Sequence, residues 1–204
     1  VEWKASDEPA PRAVSATPRL SLANDRDRAA RFILEEAQWS DVALRPGRLL
    51  SFQEFRDLFS EEYLGADVQL AIGEQTILFT DMVGSTAMYA RQGDPAAFVT
   101  VKKHFQTVFG LIADHKGAVV KTIGDAAMGA FTDPVDAVRA AEAIQRAFGD
   151  GSLVRLRISI NTGPCIAVRL NANLDYFGST VNLAAKLQAV VDAGQIVVSD
   201  AKIG

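Results

Sequence analysis

The sequence predicts an α+β fold, with a mixed, largely antiparallel sheet and flanking helices. Short apolar runs at 75–81, 118–123, 126–131 and 195–199 have the length of buried strands, and longer segments between them carry apolar residues at helical spacing. Two of these strands follow each other across a tight turn, which favours antiparallel pairing. The predicted order is β-α-α-β-β-α-β-β-α-β, with the helices on one face of the sheet.

The predicted helices have starts and ends that the sequence marks. Asp94-Pro95 and Pro134 place proline in a first helical turn, where its missing N–H is tolerated. The last helix begins near Ser179 and ends at Gly194.

Turn residues divide the remaining strands. Gly124-Asp125 joins the two strands of a hairpin. The alternation from Val154 to Ile160 predicts a half-buried strand. The turn residues at 161–164 then predict a break before a separate strand that begins at Cys165.

The first part of the chain is expected to lie outside the main domain. Residues 1–18 contain prolines without apolar periodicity and predict a linker, and residues 19–39 fit short strands or a helix. We assign 1–50 to a linker and the end of an upstream module.

A connecting helix is predicted over 51–68, ahead of the main domain at 69–204. Ser51 fits an N-cap, with Glu54 completing a capping box. The helix is apolar on one side only, so it either docks on the main domain or forms a dimer or relays a signal. The apolar stripe consists of Phe52, Phe55, Leu58 and Phe59.

Composition excludes several classes of function. The net charge of −4 comes from residues 1–68. The sequence has no basic patch, so nucleic acid binding is not expected. The sequence contains no apolar run of about 18 residues, so no membrane span is predicted. Cys165 is the single cysteine, which excludes an internal disulfide. Without a signal pattern at the N-terminus, we expect a cytoplasmic protein.

Two carboxylates are candidate functional residues because each lies beside a glycine turn near the end of a strand. Asp81 follows the run TILFT, and Asp125 follows VVKTIG. Such a pair fits a divalent cation site for a phosphate substrate, whereas a lone acid at a strand end is usually a helix cap. His104 and His115 are expected to be packing or surface residues, and Cys165 a core residue.

Four further polar residues are candidates for a binding site. Lys121 lies within an apolar strand and must pair, either with Asp125 or with a substrate. Asn182 and Lys186 share one face of the last helix, which is most often a solvated face. Asp175 lies in an aromatic loop at the entrance of that helix.

The segments TILFTDMVGST, VVKTIGDAAMGAF and LDYFGSTVNLAAKL, in this order, closely resemble class III adenylate/guanylate cyclases over residues 76–199. The resemblance implies a class III nucleotidyl cyclase fold with a ferredoxin-like core. FQEFRDLFSEEYL is similar to the lead-in of a bacterial subgroup, in which a β-rich regulatory module precedes the catalytic domain. That favours strands for residues 19–39. In this family the domain continues past the strand QIVVS, so 69–204 is expected to lack its last strands.

The resemblance implies that Asp81 and Asp125 hold two Mg²⁺ or Mn²⁺ ions, assisted by the backbone carbonyl of Met82. Phosphates would be cradled by the amides of the following turn, which comprises Val83, Gly84, Ser85 and Thr86.

The resemblance also implies roles for the other four residues. Lys121 and Asp175 would read adenine, which favours ATP over GTP. Asn182 would orient the ribose. Lys186 would neutralise charge on the α-phosphate, at a position where the family most often has arginine. Family sites form between two protomers, so we expect a homodimer with shared sites.

The expected function is therefore an adenylate cyclase that converts ATP to 3′,5′-cyclic AMP and pyrophosphate. The alternatives are an inactive nucleotide-binding or dimerisation module that regulates a partner, and a cyclase for GTP. A phosphatase of the aspartyl-phosphate kind is excluded because Val83 occupies the position of its second aspartate.

Overall fold

The computed structural model describes residues 2–4, 19–29, 44–59, 69–149, 151–170 and 173–199. The chain divides into two compact units, Val1–Ala43 and Leu44–Gly204.

The first unit contains two short parallel strands, β1 (Glu2–Lys4) and β2 (Ser21–Ala23). The linker prediction for residues 1–18 did not include the first of them. Strand β2 agrees with the strand interpretation of 19–39, but residues 30–39 lie outside the described part of the chain.

The second unit contains a six-stranded sheet with helices packed against it. Its elements, in chain order, are α1 (Pro46–Leu49), α2 (Gln53–Phe59), β3 (Gln69–Met82), α3 (Ser85–Gln92), α4 (Asp94–Asp114), β4 (Ala118–Ile123), β5 (Ala126–Phe131), α5 (Pro134–Ala147), β6 (Leu156–Leu170), β7 (Asn173–Phe177), α6 (Ser179–Leu187) and β8 (Ile196–Val198).

The strand order of this sheet is β4-β5-β3-β6-β7, and β8 pairs with β6. The β6–β8 pair is parallel, and the other four pairs are antiparallel. The prediction of a mixed, largely antiparallel sheet with flanking helices is confirmed. Among the described residues, no helix is both long and apolar enough to cross a bilayer.

Helices cover both faces of the sheet, so the prediction of helices on one face is wrong. Leu78 packs in a core with residues of α3, α4 and α5, whereas Ile77 and Phe79 pack in a second core with residues of α6. Every residue from Gln75 to Thr80 is buried. A strand buried at consecutive positions needs cover on both sides, and the apolar run was the sequence signal for it.

Residues 161–164 form no turn, because β6 runs without a break from Leu156 to Leu170. Gly163 is there for a close approach rather than for a turn: a Cβ atom at this position would lie 2.7 Å from Thr180 Oγ1. The Thr180 hydroxyl donates to the Pro164 carbonyl at 2.8 Å. The missing side chain of Gly163 therefore lets α6 pack directly on β6.

Two other local predictions are wrong. The expected loop at Asp175 is strand β7, which pairs with the end of β6. The capping box does not form, because the Ser51 hydroxyl donates to the Arg48 carbonyl at 2.7 Å and α2 begins at Gln53. Of the apolar stripe on this helix, Phe55 packs against the α6-side core, and the other members are exposed: Phe52, Leu58 and Phe59.

Cys165 is buried, as expected of a core residue, and His104 is buried as a packing residue rather than exposed at the surface. Cys165 lies in the α6-side core, and burial raises the pKa of its thiol to about 11. His104 on α4 packs against Phe105 and Phe148, with ring centroids 4.7 and 5.6 Å away. Neither ring nitrogen of His104 has a hydrogen-bond partner among the described residues. Burial lowers the pKa of His104, and the Val101 backbone and the charge of Asp125 oppose that shift only in part.

The buried His104 should make the protein less stable in mild acid. Above its ordinary pKa of about 6.5 the ring is neutral in both states, but below it the unfolded chain takes up a proton that the folded chain does not. The free energy of unfolding should therefore fall as the pH drops below about 6.5. Urea denaturation between about pH 5.5 and 8 measures this. His104→Leu should flatten the decline, His115→Gln should keep it, and an unchanged slope in His104→Leu would contradict the assignment.

Candidate active site

The sheet brings the two predicted metal acids to the same end of neighbouring strands. Asp81 is the next-to-last residue of β3, and its neighbour Thr80 is opposite Ala127 on β5. Asp125 lies in the turn that enters β5, next to Gly124 with a φ of 62°. That positive φ is one which glycine adopts readily. The hairpin register therefore sets Asp125 beside the end of β3.

Asp81 has a partner that the sequence did not predict. Arg157 is directly opposite it on β6, and the Asp81 Oδ2 accepts from Arg157 Nη2 at 2.5 Å and from Nε at 2.7 Å. In the sequence, Arg157 was one of two arginines that alternate with apolar residues in a half-buried strand. Only the long-range register of β3 and β6 distinguishes it from Arg155.

The chemistry of the site fits a divalent cation. The Oδ2 atom of Asp125 is buried and has no hydrogen-bond partner among the described residues. A buried carboxylate oxygen without a partner is costly, and a cation would satisfy it. Carboxylates and a backbone carbonyl, such as that of Met82, are the hard oxygen ligands that Mg²⁺ and Mn²⁺ accept. The described part of the chain contains no cluster of three or more His, Cys, Asp or Glu side chains, so this set has two acids.

The loop after Asp81 leads into a helix N-terminus. Gly84 has a φ of 78° and precedes α3, which begins at Ser85. The Val83 amide donates to the Arg155 carbonyl at 2.9 Å, so it is already used. First-turn amides have no partner within their own helix, and they are therefore suited to an anion. The amides that fit the predicted phosphate cradle are those of Gly84, Ser85 and Thr86.

Lys121 and Asp175 form an ion pair, with 2.5 Å between Lys121 Nζ and Asp175 Oδ2. The expected alternative, a pair between Lys121 and Asp125, is wrong. Asp175 also accepts from the Tyr176 amide at 2.8 Å, and the Lys121 ammonium lies 5.7 Å from the centre of the Phe177 ring. A carboxylate, an ammonium and an aromatic face are thus adjacent at one place.

This pair joins strands that are distant in the sheet order. Lys121 lies on β4 and Asp175 on β7, which are the two ends of the order β4-β5-β3-β6-β7. The sheet must therefore curl until its two edges meet. Twist of this kind accumulates from strand to strand in a sheet, and a sequence pattern does not show how far it goes.

Asn182 and Lys186 are exposed on α6, while Val181 and Ala184 on the other side of the helix are buried. The structure agrees with their predicted placement on one helix face. It does not bring either residue into contact with the Lys121–Asp175 pair through any described hydrogen bond or ion pair.

The family model for the adenylate and guanylate cyclase catalytic domain matches residues 69–203. The chain belongs to this family. The receptor-type adenylate cyclase GRESAG 4.1 of Trypanosoma brucei brucei is 29% identical over 172 residues, which cover 62% of this chain and 14% of that protein. The chain thus spans a small part of the length of this relative.

Solved cyclase structures share the fold. The catalytic core of a rhodopsin-guanylyl cyclase with converted specificity, in complex with ATPαS, is 27% identical with a TM-score of 0.61, over 66% of this chain and 81% of that one. The adenylyl cyclase CyaB from P. aeruginosa is 25% identical with a TM-score of 0.57, over 65% and 79%. The similar structures thus include an adenylyl cyclase and a guanylyl cyclase of converted specificity.

Arg157 should compete with a metal ion for Asp81. Arg157→Gln removes the counter-charge, so Mn²⁺ alone should bind about five- to tenfold more tightly, since a partly buried pair of this kind contributes on the order of 1 kcal/mol. Titration calorimetry with MnCl₂ in the absence of nucleotide measures this. Arg155→Gln is the matched control and should bind like the wild type. Equal Mn²⁺ affinities for all three proteins would show that Arg157 does not compete with the metal ion for Asp81.

Proposed function

We propose that this domain is an adenylate cyclase that converts ATP to 3′,5′-cyclic AMP and pyrophosphate at a homodimer interface. The observation that carries the proposal is the Lys121–Asp175 ion pair. It places a donor and an acceptor side by side, and adenine presents the complementary pattern of a ring nitrogen acceptor beside an amino donor. Lys121 would donate to the ring nitrogen and Asp175 would accept from the 6-amino group.

The two acids support the catalytic part of the proposal. Asp81 and Asp125, with the carbonyl of Met82, would hold two Mg²⁺ or Mn²⁺ ions. Such ions lower the pKa of the ribose 3′-hydroxyl and neutralise triphosphate charge when they are bound. The protein's own part is to hold these carboxylates at one sheet end and to aim the amides of Gly84–Thr86 at the phosphates.

The remaining residues would act on the ribose and the α-phosphate. Asn182 orients the ribose so that its 3′-oxygen faces the α-phosphorus. The new bond from the 3′-oxygen to phosphorus forms as the bond to the bridging oxygen breaks, which releases pyrophosphate, and the hydroxyl proton leaves to solvent. Lys186 offsets the charge on the α-phosphate. It does so as a point charge, without the two-pronged contact of an arginine.

Exposed apolar residues support a shared site in a homodimer. Each predicted group of site residues has a large apolar neighbour that is at least 41% exposed in the single chain. Apolar side chains beside polar site groups are typical of an interface with a second chain. These neighbours are Val83, Ile123, Phe177 and Leu183.

Two alternatives remain distinct from this proposal. A guanylate cyclase would share the fold and the metal acids, and one of the similar structures is a rhodopsin-guanylyl cyclase with converted specificity. The Lys121–Asp175 pair favours adenine, because guanine carries a carbonyl where adenine has the 6-amino group. An inactive nucleotide-binding module is disfavoured because all six predicted side-chain positions of the site are filled, and only Lys186 differs from the residue that the family most often has.

The test is cyclic nucleotide formation by the purified protein, with ATP or GTP and with Mg²⁺ or Mn²⁺. The wild type should prefer ATP. Lys121→Glu combined with Asp175→Cys should lower kcat/KM for ATP by about a hundredfold, and it should lower that for GTP far less, because the two groups that pair with adenine are replaced. Lys103→Glu, a change of an exposed lysine on α4, is the control and should keep the ATP preference.

Two results would contradict the proposal in different ways. A wild-type protein that forms no cyclic nucleotide from either substrate would exclude the enzyme. Equal losses for ATP and GTP in the double variant would show that the pair does not read the base.

A further inference from the structure

Helix α2, which precedes the catalytic domain, forms hydrogen bonds to both strands that carry the Lys121–Asp175 pair. On α2, Gln53 Oε1 accepts from the Val119 amide at 2.7 Å, two residues before Lys121. Arg56 Nη2 donates to the Leu174 carbonyl at 2.5 Å, one residue before Asp175. The two strands lie at opposite ends of the sheet order, so they share no ladder of their own.

The contact with β4 lies at an irregularity in that strand. The β4–β5 register shifts between Val119, which is opposite Gly129, and Lys121, which is opposite Met128. An irregularity of this kind turns the following side chain relative to the sheet. The Gln53 side chain supplies the acceptor for the amide of Val119 at this place, so it contributes to the direction in which Lys121 leaves the strand.

The contact with β7 is a buried group of polar atoms. Arg56 is buried, its Nη1 donates to the Leu50 carbonyl at 3.4 Å, and its guanidinium carbon lies 5.2 Å from the centre of the Tyr176 ring. The Tyr176 hydroxyl donates to the same Leu50 carbonyl at 3.1 Å. Buried donors and acceptors that satisfy one another are costly to separate, so β7 is held firmly to this segment.

We propose that residues 50–59 act as a clamp that sets the distance between β4 and β7 and so aligns Lys121 with Asp175 for the base. Gln53 and Arg56 are positioning residues for nucleotide specificity, although neither touches the substrate. The inference rests on the proposed function, because it assigns a purpose to the pair that the proposed function uses.

The test compares variants of Gln53 that differ in one hydrogen-bond acceptor. Gln53→Met keeps the length of the side chain and loses the acceptor. It should raise KM for ATP and lower the ATP-to-GTP ratio of kcat/KM about tenfold, while kcat with GTP stays close to the wild type, since small misplacements of binding groups weaken discrimination.

A conservative rescue separates positioning from mere stability. Gln53 Nε2 also donates to Asp57 Oδ1 at 2.7 Å. Gln53→Glu is therefore combined with Asp57→Asn, so that the amide of residue 57 donates to the carboxylate of residue 53 and the contact is kept. The double variant retains an acceptor for the Val119 amide and should recover the ATP preference. Asp57→Asn alone is the control and should behave like the wild type. A Gln53→Met protein with the wild-type ratio, or a double variant as impaired as Gln53→Met, would overturn the clamp.

Amide hydrogen exchange gives a readout that does not need activity. Residues 119–123 should exchange faster in Gln53→Met than in the wild type, and Tyr176→Phe should do the same for residues 174–177. Unchanged exchange at both places would overturn the clamp. An active wild type with unchanged variants excludes the clamp alone, whereas a wild type without activity on either nucleotide excludes the proposed function.

Discussion

The pairing of β3 with β6 is the interaction on which the rest of the domain depends. These strands run antiparallel from Gln69 opposite Val168 to Met82 opposite Leu156. Of the other four strands of the six-stranded sheet, β5 pairs with β3, β7 and β8 pair with β6, and β4 pairs with β5. Because successive side chains alternate between faces, this one ladder organises both hydrophobic cores.

The same ladder fixes the chemistry at its ends. It sets Arg157 opposite Asp81 at one end, and at the other end it carries β7 and therefore Asp175. Lys121 reaches Asp175 only because the sheet curls and brings β4 to β7. The site is thus an outcome of sheet geometry, and α2 holds the two edges together where they meet.

The sequence predicted most helices and strands of the catalytic domain, but it did not predict which residues of different strands and helices would be in contact. Asp81 and Asp125 could be proposed as metal ligands because each ends an apolar run near a glycine turn, which is a local signal. The ion pairs of Asp81 with Arg157 and of Lys121 with Asp175 could not, because strand register and sheet curl are long-range properties. Gly163-Pro164 suggested a turn, but the glycine serves the packing of α6, a reason that only the neighbouring Thr180 reveals. Gln53 and Arg56 gave no signal, since a polar residue on a short helix is usually solvated.

We propose that one chain carries both halves of a cyclase site, which only two chains complete. Mixing two inactive variants tests it directly: Asp81→Asn impairs the metal half, and Lys186→Met impairs the half that acts on the α-phosphate. A mixed dimer has one site in which both changes fall together and one site that is intact, so an equal mixture should recover about a quarter of the wild-type cyclic AMP formation. A mixture that stays as inactive as each variant alone would contradict a shared site.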